Sequence, residues 1–108
     1  DGRLWILGRA DDTIITGGEN VHPAEVAGVL RDHPDVTDAA VVGLADEEWG
    51  ERIGALLATP DGEPIDVKPF ARERLAAYKL PKTVAFATEL PRTASGTIDR
   101  DAVRTRLG

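Results

Sequence analysis

Apolar runs of four to nine residues alternate with short polar breaks marked by glycine and proline along this chain. "RLWIL" (3–7) and "TIIT" (13–16) are β-rich, and the turn-like "GRADD" lies between them. The two runs either pair as a hairpin or belong to different bodies. Two adjacent glycines then open "GGEN" (17–20), marking tight backbone or the close approach of another group. Residues 22–34 read as a helix. Pro23 suits the first helical position, Glu25 favours the dipole, and Val26, Val29 and Leu30 form an i, i+3, i+4 stripe. Pro34 stops it, and Asn20 or His22 is available as its cap.

"VTDAAVVGL" (36–44) predicts a strand, "ADEEWGE" (45–51) a polar loop, "RIGALLATP" (52–60) a second strand and "DGEP" a turn. Residues 66–80 read as a second helix with Val67, Phe70, Ala71, Leu75 and Tyr78 on one face, beginning near Pro69 and ended by Pro81. "TVAFA" (83–87) is a short strand. A hydroxyl-rich loop follows, then a final short helix over 99–107. Its charges suit the dipole, with Asp99 and Asp101 at the start and Arg104 and Arg106 near the end. This order predicts an α+β domain: a short central sheet with helices packed on it, preceded by a short β-hairpin or hinge segment.

The 108 residues fit one small domain, and 42% apolar content supplies one modest core. There is no methionine, and the chain opens at Asp1 inside a turn-like stretch, which suggests a piece of a longer protein. With no cysteine, disulfides and thiolate metal sites are excluded. The two histidines, His22 and His33, lie on no common face, so no metal site is expected. No apolar run reaches the roughly 20 residues of a membrane span and no signal peptide is visible, while the absence of cysteine fits a cytoplasmic location, which is expected. The net charge of −6 argues against a nucleic-acid partner. That charge is uneven: residues 1–65 carry 4 basic and 14 acidic side chains, residues 66–108 carry 9 and 5. A basic end on an acidic chain suits a small anionic ligand, although any single charge here equally suits a solvated face.

Three places carry candidate chemistry. Arg9 is a fixed cation beside a turn that also holds Asp11 and Asp12, usable for phosphate or simply solvated. Gly17 and Gly18 expose backbone, and Trp49 in its polar loop either plugs a core or offers a surface to a ligand. The third is "PRTASGTIDR" (91–100), flanked upstream by Lys79 and Lys82. Its Ser95 and Gly96 suggest a mobile loop that carries a side chain into a site and withdraws it. A lysine after Gly96 would stabilise a phosphate at a reacting carboxyl; Thr97 carries no charge to do so.

Taken together, "DGRLWILGRADDTIITGGENVHPAEV", "VVGLADEEWGE", "LAAYKLPK" and "LPRTASGTIDR" resemble, in order and over essentially the whole chain, the C-terminal domain of the adenylate-forming enzymes. These are the acyl- and aryl-CoA synthetases, luciferases and peptide-synthetase adenylation domains. The resemblance implies a two-step reaction: a carboxylate and ATP with Mg2+ give an acyl-adenylate and pyrophosphate, then coenzyme A displaces AMP as a thioester. It implies that residues 1–11 are the end of a large N-terminal domain and the hinge, and 12–108 a mobile lid presenting a different face in each step. Its partners are then that N-terminal domain and a small carboxylic acid. The lid alone holds no cofactor and is expected to be inactive. Asp11 falls at the hinge and Arg9 at a nucleotide contact. Gly17, Gly18, Glu19 and Asn20 fall along the pantetheine path, Trp49 near it, and Lys79 and Lys82 at contacts to coenzyme A phosphates. "GGENVHP" resembles the coenzyme A ligase branch more than the peptide-synthetase branch. Thr97 departs from the family's final motif, where a lysine bridges the carboxylate and the α-phosphate. The resemblance therefore implies a protein weak in adenylation with its thioester face retained, or a non-catalytic module of the same fold that binds coenzyme A or a partner.

Overall fold

A computed structural model describes residues 13–108. The run 3–7, Arg9, Asp11 and the proposed boundary at residue 11 lie outside the described residues.

Two long strands, β3 (Asp38–Asp46) and β4 (Gly50–Ala58), form the centre of a mixed sheet and pair antiparallel over their full length. The run expected to be one strand and then a polar loop is longer and tighter than that. Both strands extend into 45–51, leaving a turn of three residues. The continuous apolar character of β3 and β4 follows from burial on both faces. Ala39, Val41, Ile53, Ala55 and Leu57 enter one core with Val26, Ala27 and Leu30 of α1 (Pro23–Arg31). Ala40, Val42, Leu44, Leu56 and Ala58 enter a second core with Val103 of α3 (Arg100–Leu107). The domain thus has three layers, helix, sheet and helix. Within the first stripe Val26 and Leu30 are fully buried and Val29 is half-buried.

β3 covers one edge of β4. The other edge is shared: β1 (Ile14–Thr16) meets β4 at Thr16 and Gly50, and β5 (Thr83–Ala87) runs parallel to it from Gly54 to Ala58. β1 also pairs with β2 (Glu19–Val21) in a tight hairpin through Gly17 and Gly18, a strand that the "GGEN" reading did not anticipate. The free edge of β3 is blunted by α3, whose Arg100 and Arg104 donate to the Val41 and Gly43 carbonyls.

The second helix differs most from expectation. α2 spans only Lys68–Arg72; Ala76 is extended, and Ala77–Lys79 forms one 3-10 turn. Ala71 and Leu75 are buried as the pattern required, but Tyr78 is 42% exposed. Leu75 closes the last turn on Ala71, and Leu80 must be extended before Pro81. Five helical residues have little intrinsic stability, so packing decides where the chain turns. α1 likewise ends at Arg31, where Asp32 and His33 turn back on Val29 and Leu30. Asp99, inside the expected final helix, is its N-cap and accepts from Ala102 N–H.

Candidate functional site

Among the described residues, most of those singled out from the sequence fall into two groups at opposite ends of β3. Eight steps of about 3.3 Å place those ends roughly 26 Å apart.

At the Asp46 end, three segments converge. The β1–β2 turn holds Gly17 at φ 59° and Gly18 at φ 84°, the left-handed region that glycine alone occupies cheaply. Gly17 N–H donates to the Trp49 carbonyl at 2.9 Å, which fixes the turn over the indole. A Cβ on Gly17 would lie 2.8 Å from Trp49 Cε3, so the backbone touches the ring as only glycine permits. Trp49 itself is 41% exposed: it is a surface, and not a core plug. Asp46 shapes its turn by accepting the N–H groups of both Glu48 and Trp49 at 2.9 Å. The Trp49 N–H bond is the main reason the Asp46 carboxyl titrates below its ordinary range, with Glu48 N–H, Arg52 and Lys82 helping and partial desolvation opposing. Arg52 ties the same turn to β5, donating to the Ala45 carbonyl at 2.7 Å and to Thr83 Oγ1 at 3.0 Å.

Lys82 completes this group. Its N–H donates to the Ile53 carbonyl, and its Nζ stands 4.2 Å above the Trp49 ring. It also borders a cleft of about 330 Å³ rimmed by Lys68 and Arg72 and floored by Val67, Ala71 and Leu80. Lys79 is engaged differently. Its Nζ lies 2.9 Å from both carboxylate oxygens of Glu25 on α1, and that bond raises its pKa. Glu19 and Asn20 are exposed on β2. Two large side chains are about half exposed: Ile15, which was not singled out from the sequence, and Tyr78, which was expected on a buried helix face. Alternation along "TIIT" does put Ile15 opposite in direction to its buried neighbours.

At the Asp38 end, residues 91–99, the stretch expected to be a mobile loop, form a small hydrogen-bonded turn. Arg92 and Ile98 make a β-bridge, Thr93 N–H donates to Thr97 O, and Gly96 N–H donates to Thr93 O. Gly96 takes φ 91°. The Thr97 hydroxyl is 2.9 Å from that of Thr93, which also meets Ser95 Oγ at 3.0 Å. Arg92 staples the turn to β3, with Nη2 2.6 Å from Asp38 Oδ2 and Nη1 donating to the Gly96 carbonyl. Its charge is therefore paired with Asp38 of β3, and Thr97 presents a neutral hydroxyl. Among the described residues, no three or more histidine, aspartate or glutamate side chains converge as metal ligands, and no described helix is long and apolar enough to cross a membrane.

A family model described as "AMP-binding enzyme C-terminal domain" matches residues 25–97. The chain is 46% identical over 107 residues to an indoleacetate–CoA ligase of Aromatoleum aromaticum, covering 96% of this chain and 21% of that protein. It is 48% identical over 98 residues to a 2-succinylbenzoate–CoA ligase of Geobacillus kaustophilus, covering 88% and 20%. Among solved structures, a Mycobacterium tuberculosis fatty acyl CoA synthetase superposes with a TM-score of 0.80 at 42% identity, covering 89% of this chain and 20% of that one. The chain spans about a fifth of the length of the curated relatives it matches.

Proposed function

This chain belongs to the AMP-binding enzyme C-terminal domain family, and we propose that it is the mobile lid of an AMP-forming acyl- or aryl-CoA synthetase. Residues 1–11 then join it to a large N-terminal domain, hinging at Asp11, with Arg9 reaching the nucleotide. Across both steps the full-length protein consumes a small carboxylic acid, ATP with Mg2+, and coenzyme A. In the first step a carboxylate oxygen bonds to the α-phosphorus and pyrophosphate leaves. In the second the coenzyme A sulfur bonds to the acyl carbon and AMP leaves. These substrates are soluble, so the cytoplasm is the proposed setting.

One observation carries this reading: the Gly17–Trp49–Lys82 group and the Thr97 turn occupy opposite ends of one sheet. A lid that rotates can present one end per step. In the thioester step the exposed Gly17–Gly18 backbone lies along the pantetheine arm, and the Trp49 surface flanks it. Lys82 offers its charge to coenzyme A phosphate, supported by the cations of the neighbouring cleft. Lys79 serves this face less directly, because Glu25 already neutralises it. In the adenylation step Thr97 stands where the family's motif places a lysine. Charge developing on the α-phosphate meets a hydroxyl, and losing one such electrostatic group costs on the order of 10²–10³ in rate.

The neutral, self-bonded Thr97 turn also favours a second reading, a non-catalytic coenzyme A-binding module of the same fold. Trp49→Ala in the full-length protein separates the two. The synthetase reading expects thioester formation to fall at least tenfold while ATP–pyrophosphate exchange holds within about twofold. Coenzyme A binding without either half-reaction would favour the module instead.

A further inference from the structure

Glu51 has a part that neither its position in a polar turn nor its charge suggested. The β1–β4 ladder pairs one position, Thr16 with Gly50, and Gly17 N–H donates to Trp49 O beside it. In an antiparallel ladder the next donor along β1 is Ile15 N–H, and its regular acceptor is the backbone carbonyl of Glu51. Here the Glu51 side chain takes the bond instead, with Oε1 2.9 Å from Ile15 N. The second carboxylate oxygen lies over Gly43 on β3. A Cβ there would be only 2.6 Å from Oε2, so Gly43 leaves the space in which the carboxylate sits.

We infer that Glu51 is a positioning residue: its carboxylate, seated over Gly43, bridges the diverging edge of β4 and holds the β1–β2 hairpin so that Gly17 rests against Trp49. The consequence for thioester formation rests on the synthetase reading above; the hairpin contact does not.

The test uses the full-length protein with Glu51→Ala, Glu51→Gln and Gly43→Ala. Amide hydrogen exchange over residues 13–21 and 91–99 is measured first. ATP–pyrophosphate exchange and the KM for coenzyme A follow, with whichever acid of a carboxylic-acid panel supports most exchange. Glu51→Ala should speed amide exchange over 13–21 about tenfold, the scale of one lost charge-assisted bond, and leave 91–99 unchanged. It should raise the KM for coenzyme A several-fold, with pyrophosphate exchange within about twofold. Glu51→Gln keeps an acceptor oxygen but loses the charge, so it should fall between wild type and Glu51→Ala, whereas Gly43→Ala, which displaces the carboxylate, should follow Glu51→Ala. Unchanged protection over 13–21 in Glu51→Ala, or a Gln variant as loose as the Ala variant, overturns the inference. So does an equal fall in both half-reactions. If the wild type forms no thioester yet the hairpin loosens as described, the synthetase reading fails and the positioning role stands.

Discussion

Gly17→Ala tests the packing of the β1–β2 turn on Trp49, and its cost can be assembled from two separate causes. First, φ at Gly17 is 59°, and an alanine in the left-handed region costs about 1 kcal/mol. Second, the new methyl would sit 2.8 Å from Trp49 Cε3 and 3.1 Å from Cζ3. The Gly17 N–H to Trp49 O bond prevents the backbone from retreating, so the indole must leave its rotamer at a further cost of about 1 kcal/mol. Gly18→Ala is the internal control. Its φ of 84° carries a similar backbone penalty, but nothing lies within 4 Å of its Cβ. Urea unfolding should therefore rank Gly17→Ala about 2 kcal/mol and Gly18→Ala about 1 kcal/mol below wild type. In a Trp49→Ala background the two variants should converge, giving a coupling of about 1 kcal/mol between Gly17 and Trp49. Equal costs for the two variants, or no coupling, would refute the account of the turn.

Two further predictions address the scaffold and the charge around this group. Gly54→Ala places a Cβ 2.7 Å from Leu44 Cδ1 and 3.0 Å from Leu107 Cδ1, and should destabilise the α3–sheet contact by about 1–3 kcal/mol, read by unfolding and by faster amide exchange in α3. The Asp46 carboxyl is held below its usual range in the folded state. Its contribution is therefore full above the ordinary aspartate pKa and is lost as pH falls through the lower folded value. An NMR titration of Asp46 should give a midpoint below that of a free aspartate, and Asp46→Asn should remove this part of the acid dependence of stability.

The α+β class and both central strands were legible because β3 and β4 are apolar at consecutive positions, a pattern that burial on two faces requires. α1 was legible from Pro23, Glu25 and the Val26–Leu30 stripe. The 66–80 segment misled because Val67, Ala71 and Leu75 keep helical spacing without a helix continuing between Leu75 and Tyr78. There Leu75 seats in the core and the chain turns, which propensity cannot show. β2 was hidden in "ENV", too short to alternate visibly, and the turn before it was the only sign. Of the site, Gly17, Gly18, Trp49 and Lys82 were named from the sequence and lie together. Glu25 as the partner of Lys79, and Glu51 as the acceptor for Ile15, join residues 54 and 36 positions apart, and no local pattern encodes such pairs.

As proposed above, this lid belongs to a synthetase whose adenylation end lacks its cation at Thr97. Substrate-dependent ATP–pyrophosphate exchange in the full-length protein, as it stands and with Thr97→Lys, tests it most directly across a panel of carboxylic acids. Exchange should be weak as the protein stands, and lysine should raise it by about 10²–10³ with one class of acid. Equal exchange by both forms would contradict the role given to Thr97, and no exchange by either with any acid would contradict the synthetase reading itself.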